Sequence, residues 1–175
     1  MNTSKRDLCM LITAILFAGM VFLEPYYRNL GKRLVKTPKI YMCDTGLAAF
    51  LMGFETPDEM ARHPVMGALW ETHVVMQVVR HYGAYGRHLP LWYWRTVHGA
   101  EVDLLVEKGG RFTAIEAKYT EHPDTTDLKG INALEKVYGR TSLISGYVAS
   151  RTARSYPLSD TVQAVNGSDI DRYIP

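Results

Sequence analysis

The sequence predicts an α/β fold with a central mixed sheet flanked by helices, and three observations carry that prediction. The stretch "EVDLLVEKGGRFTAIEAK", Glu101 to Lys118, alternates apolar and polar residues on both sides of a Gly109-Gly110 pair, which is the pattern of a β-hairpin. Two stretches of helical period, "VMGALWETHVVMQVVRHYG" and "DLKGINALEKVYG", stand before and after it and predict helices near 66–82 and 125–138. Strands near 90–96, 101–107, 111–119 and 141–149 then complete the sheet.

Composition limits what else the chain can be. At 175 residues, 47% hydrophobic and 22% charged, it can bury one well-packed core with a small appendage, and it is not a disordered protein. A formal charge of +2 is too small to indicate a partner, so local charge matters more than net charge. Cys9 and Cys43 lie in apolar surroundings without a C-x-x-C or histidine-rich companion. That argues against a disulfide framework or zinc site and makes a reducing cytoplasm the expected setting.

At the N-terminus, the uncharged run "LCMLITAILFAGMVFL", Leu8 to Leu23, follows Lys5 and Arg6. It reads either as a signal or membrane segment, or as a core helix ended by Gly19 with a strand starting at Val21. Its sixteen residues fall short of the roughly 18 that argue for a span, so no membrane association is expected. The stretch "YYRNLGKRLVKTPK" carries Arg28, Lys32, Arg33, Lys36 and Lys39 with no acid between them and with Tyr26 and Tyr27 at its edge. Basic residues beside aromatics suit a nucleic-acid phosphate backbone, and a solvated loop explains them as well. "KIYMCDTGLAAFLMG" reads as a strand, an Asp44 helix cap and a short helix stopped by Gly53. There is no internal repeat and no G-x-x-x-x-G-K-[ST] loop, so ATP is not bound in the P-loop manner.

In the helix near 66–82, Ala68, Val74, Val75, Val78 and Val79 draw an apolar arc at about 100° per residue, and Glu71 falls near its middle. His73, Gln77, Arg80 and His81 hold the polar side. An inward carboxylate costs several kcal/mol unless it is paired. A structural salt bridge is one partner that would account for it, and the hairpin offers another.

After "LWYWRT", whose Trp92 and Trp94 share a face, a two-residue primed turn at Gly109-Gly110 sets Lys108 opposite Arg111. Counting back puts Asp103 opposite Glu116 and Glu101 opposite Lys118, all on one face. Val102, Leu104, Val106, Ile115 and Ala117 are expected on the other. Facing acids repel unless a cation lies between them, and hard oxygen donors suit Mg²⁺ or Mn²⁺. A lysine beside such a metal can orient water, and Glu71 would close the site from its helix. Asp127-Leu128-Lys129 offers the same acid-x-lysine spacing, but at the start of a helix.

Helix Glu71, strand Asp103 and Glu116-Ala117-Lys118 resemble the PD-(D/E)XK nuclease pattern in its form with a glutamate on the first helix. More closely, "NLGKRLVKTPKIYMCDTGLAAFL", "GALWETHV", "WYWRT", "GAEVDLLV" and "AIEAK" resemble a C-terminal domain of unknown function that follows an AAA+ ATPase module in many prokaryotic proteins. The likeness covers about residues 12 to 175. It implies a restriction-endonuclease-like core and Mg²⁺-dependent hydrolysis of DNA phosphodiester bonds. Asp103, Glu116 and the Ala117 carbonyl would hold the metal, Lys118 would position water and Glu71 would support the metal shell. The same likeness makes residues 1–35 the remnant of a winged-helix segment, with its basic linker, and 36–175 the nuclease-like domain. The chain departs from the family pattern in lacking the ATPase module, which leaves an ATPase partner or a homo-oligomer as expected associations. A non-catalytic module that keeps the scaffold to bind nucleic acid or protein is the alternative reading.

Overall fold

The computed structural model describes residues 19–26, 37–84 and 90–175. Arg28, Lys32, Arg33 and Lys36, and the apolar run up to residue 18, lie outside the described residues. The chain is mixed α/β, with a six-stranded mixed sheet and helices against both faces.

The first described elements form a two-stranded antiparallel sheet of β1 (Met20–Leu23) and β2 (Lys39–Met42), paired from Met20↔Met42 to Leu23↔Lys39. This pairing crosses the expected division at residue 35. Beyond β1 the chain joins the edge of the main sheet, where Tyr93 donates to the Glu24 carbonyl at 3.0 Å and Tyr26 N–H donates to the Tyr93 carbonyl. Asp44 caps α1 (Thr45–Leu51), as expected, by accepting from Leu47 N–H at 2.9 Å. A short α2 (Pro57–Arg62) follows, with Thr56 as cap, proline in its first turn, and Asp58 and Glu59 at its positive end.

The long helix α3 (Met66–Ala84) lays Trp70, Val74, Val75, Val78 and Tyr82 against one sheet face. Ala68, expected on this arc, is exposed, and the helix packs through Met66 and Trp70 on either side of it. The sheet comprises β3 (Leu91–Arg95), β4 (Glu101–Lys108), β5 (Arg111–Ala117), β6 (Leu143–Ser150), β7 (Tyr156–Pro157) and β8 (Val162–Asn166), in the order β3-β4-β5-β6-β8-β7. The β5–β6 and β6–β8 pairs are parallel and the others antiparallel. Between β5 and β6, a 3-10 turn at Thr125–Leu128 leads into α4 (Lys129–Tyr138), which packs Ile131 and Leu134 on the opposite face. A closing 3-10 segment, Gly167–Arg172, returns against α3.

The hairpin forms in the expected register from its turn as far as Leu104, and the expected pairs Asp103↔Glu116 and Glu101↔Lys118 are not part of the ladder. Gly109 and Gly110 both take positive φ, 62° and 79°, as a primed two-residue turn requires. Pairing then runs from Lys108↔Arg111 to Leu104↔Ile115. Another expectation fails: Val102 packs with Trp94, Leu105 and Phe112 on the α4 side, while Leu104, Val106 and Ile115 face α3. The cause is a register shift against β3. Trp92 pairs with Leu105 but Trp94 pairs with Val102, so Asp103 and Leu104 together oppose Tyr93. That is a β-bulge in β4, and it lies at the candidate acid.

Candidate functional site

One cleft of about 450 Å³ collects the charged residues of the hairpin. Glu71 from α3, Glu101 and Asp103 from β4, and Glu116 and Lys118 from the end of β5 line it, together with Asp127 and Lys129 at the start of α4. Two features of the backbone aim these groups. The bulge interrupts the ladder at Asp103, whose Oδ2 accepts the Ala117 N–H at 3.0 Å and so bridges the two strands by side chain. Gly130 then lets α4 close over the site. A Cβ there would sit 1.7 Å from the Glu101 carbonyl oxygen and 3.4 Å from Glu116 Oε2, so only glycine permits the approach.

The acids divide into two groups. Glu116 Oε1 accepts from the Lys118 ammonium at 2.7 Å, while its Oε2 is buried without a hydrogen-bond partner. Glu71, Glu101 and Asp103 instead surround Lys39. Its ammonium donates to Glu71 Oε1 at 2.7 Å and to Asp103 Oδ1 at 3.1 Å, and also meets Glu101. The Tyr41 hydroxyl donates to the same Glu71 oxygen at 2.7 Å, and Arg95 Nε stands 3.3 Å from Glu101 Oε2. The inward carboxylate of α3 therefore has both a cation and a hydroxyl as partners, with its side chain only 25% exposed.

Electrostatics follow from this crowding. Burial, reinforced by the charge of Asp103, pushes the Glu116 carboxyl up to about 8 against the pull of Lys118. Burial and Asp103 likewise raise Glu71, opposed by Lys39 and Tyr41. For Lys39, burial works against the charged form, but the surrounding Asp103 and Glu71 charges outweigh it and hold the ammonium above its ordinary value. Burial similarly disfavours charge on Lys118, and Glu116 outweighs it. Five acids, Glu71, Glu101, Asp103, Glu116 and Asp127, thus meet Lys39, Lys118 and Lys129 in and around the cleft, with Arg95 against Glu101, and a cation placed there would favour the ionised forms of the raised Glu71 and Glu116.

Sequence reading grouped Lys39 with the basic run, whereas the structure turns its ammonium into the acid cluster. No local pattern signals this, because its partners Glu71 and Asp103 stand 32 and 64 residues away. Tyr41 also enters the site unannounced. The second acid-x-lysine pair, Asp127 and Lys129, lines the same cleft as the first, and Asp127 also accepts the Asp124 N–H in a capping box. Among the described residues, no group of three or more His, Cys, Asp or Glu side chains is arranged to hold a metal ion. Lys39 lies among three of the acids, Glu71, Glu101 and Asp103.

Of the oxygens whose chemistry suits magnesium or manganese, both of Asp103 are held, by the Lys39 ammonium and the Ala117 N–H, and Glu116 Oε1 accepts from Lys118. Asp103 and Glu116 supply hard carboxylate oxygens, one of them the buried, unpartnered Oε2 of Glu116. Elsewhere, no helix among the described residues is long and apolar enough to cross a membrane.

Comparison with known proteins gives a family. Residues 66–170 match a family model described as "Domain of unknown function (DUF4143)", and residues 2–58 match a second, "Domain of unknown function (DUF8612)". Uncharacterized proteins of Mycobacterium tuberculosis and Mycobacterium bovis are each 35% identical to the chain over 169 residues, 97% of the chain and 36% of the relative. The chain thus spans about a third of the length of these relatives. No solved structure matches it. With more than half its length matched, the chain belongs to the DUF4143 family, a domain found in AAA-ATPase-associated proteins.

Proposed function

We propose that this domain is a Mg²⁺- or Mn²⁺-dependent nuclease that hydrolyses DNA phosphodiester bonds on a restriction-endonuclease-like core. The observation that carries the reading is that Asp103 and Glu116 line one cleft beside Lys118, with Glu116 Oε2 buried and unpartnered there. Asp103, Glu116 and the Ala117 carbonyl would hold the ion, which supplies Lewis-acid stabilisation of charge on a phosphate and lowers the pKa of a bound water. Lys118 would act as a point charge: its ammonium is tied to Glu116 at 2.7 Å, and from there it would orient an attacking water and offset negative charge developing on the phosphate. Asp103 holds the ends of the two strands together through the Ala117 N–H, which keeps the acids at fixed separation. Glu71 and Tyr41 form the wall on the helix side. Lys129 at the rim, with the basic residues Arg28, Lys32, Arg33 and Lys36 of the preceding run, supplies positive charge for the DNA backbone.

One observation favours a second reading. Lys39 pairs internally with Glu71, Glu101 and Asp103, as a scaffold that retains the fold for nucleic-acid or protein binding without catalysis would do. The test is cleavage of single-stranded, duplex and branched DNA by the purified chain over a Mg²⁺ titration, alongside Lys118→Ala. Divalent-dependent cleavage that the variant loses supports the nuclease reading. DNA binding without cleavage by the wild type gives the binding module, and cleavage by Lys118→Ala at the wild-type rate refutes the role given to the lysine.

A further inference from the structure

Lys39 does not come from the sheet that carries the other site residues. It stands at the start of β2, in the N-terminal two-stranded sheet, and its side chain crosses to α3 and β4. Its position is built. The ammonium lies 5.5 Å from the centre of the Tyr93 ring, the Tyr93 hydroxyl donates to the Thr37 carbonyl two residues before it, and its side chain is only 20% exposed. An ammonium held by carboxylate oxygens from a helix and a strand stands where a hard cation would be attracted.

The space around it gives the ammonium a second place to go. A separate cleft of about 290 Å³, lined by Lys39, Ile40, Tyr41, Ala68, Glu71, Thr72 and Glu101, adjoins the catalytic cleft, and Glu71 and Glu101 line both. A lysine that releases Asp103 can therefore keep Glu71 and Glu101 as partners while leaving the Asp103 oxygen to another ligand. Asp103 would keep its bond from the Ala117 N–H through its other oxygen.

We propose that Lys39 is an internal cation that competes with the divalent ion for Asp103, so that metal loading requires its ammonium to withdraw toward Glu71 and Glu101. The proposal rests on the metal-site reading above and adds a positioning residue to it. It also makes metal affinity depend on how β2 sits, because the backbone of that strand fixes the reach of the side chain. A lysine that served only to stabilise the fold would have a different signature: its loss would weaken the protein and leave metal affinity unchanged or reduced.

The experiment is a Mn²⁺ titration of the purified chain and of Lys39→Met by calorimetry, with thermal melts in chelator and in Mn²⁺. The expected result is that Lys39→Met binds Mn²⁺ roughly tenfold more tightly than wild type, about 1.4 kcal/mol. It should also melt lower than wild type in chelator and recover most of the difference in Mn²⁺. Should Lys39→Met not fold without metal, Lys39→Met/Glu71→Gln, whose net charge equals that of wild type, is compared with Glu71→Gln; tighter Mn²⁺ binding by the double variant is then the supporting result. Equal affinity with and without the lysine, in either comparison, overturns the competition while leaving the metal site standing. An absence of Mn²⁺ binding in every variant overturns both, and tighter binding without any DNA cleavage would retain Lys39's role while refuting the nuclease.

Discussion

Replacing Glu116 with glutamine should remove most of the pH dependence of stability from the metal-free protein. Burial and Asp103 raise this carboxyl from 4.5 to about 8 in the folded chain. Because the folded value lies above the unfolded one, the group contributes stability that is fully present below about pH 4.5 and is lost as pH rises through about 8. At about 1.4 kcal/mol per pH unit, the loss between the unfolded value and pH 7 is on the order of 3 kcal/mol, with more lost above. Glu71, also raised by burial and Asp103, works in the same direction. His73, held below its ordinary value by burial and Arg80, works in the opposite direction around its unfolded value. The raised lysines contribute only in the alkaline range. Urea unfolding in chelator at intervals from about pH 5 to pH 8 should show wild-type stability falling with pH, and Glu116→Gln should flatten most of that fall. Parallel curves for the two proteins would refute the claim that Glu116 is held in a site hostile to its charge.

Two further perturbations probe other parts of the account. Gly130→Ala places a methyl 1.7 Å from the Glu101 carbonyl and should destabilise by about 1–3 kcal/mol or more, whereas Gly67→Ala, where nothing lies within 4 Å, should be neutral or stabilise by up to about 1 kcal/mol; urea midpoints compare them. Replacing Lys32 and Arg33 with alanine should weaken DNA binding for all sequences alike and flatten its salt dependence by roughly one counterion per lost contact, and an unchanged salt slope would return the run to a solvated loop.

Much of the site was legible because its determinants are local. Gly109-Gly110 fixed the turn, the turn fixed the register, and the register set Asp103 and Glu116 on facing strands. What the sequence concealed depends on distant contacts or on backbone irregularity. The bulge at Asp103 and Leu104 contains no glycine or proline to mark it, yet it moves Val102 to the α4 side. Lys39 looked like one more residue of a basic run, and only the fold brings Glu71, Glu101 and Asp103 around it. The final strand β8 carries only Val162, Ala164 and Val165 as its apolar signal, too short to call against its polar surroundings. By contrast, α2 had a readable start in Thr56-Pro57-Asp58-Glu59, a cap followed by proline and two acids, that periodicity alone passed over in a helix of six residues.

The central claim is that the hairpin acids form a divalent-cation site, and anomalous scattering from a Mn²⁺-soaked crystal tests it most directly. The account predicts a single strong peak at bonding distance, about 2.0–2.3 Å, from carboxylate oxygens of both Asp103 and Glu116 and from the Ala117 carbonyl, with the Lys39 ammonium withdrawn from Asp103. A saturating soak that leaves Lys39 on Asp103 and no peak between the two acids would contradict it.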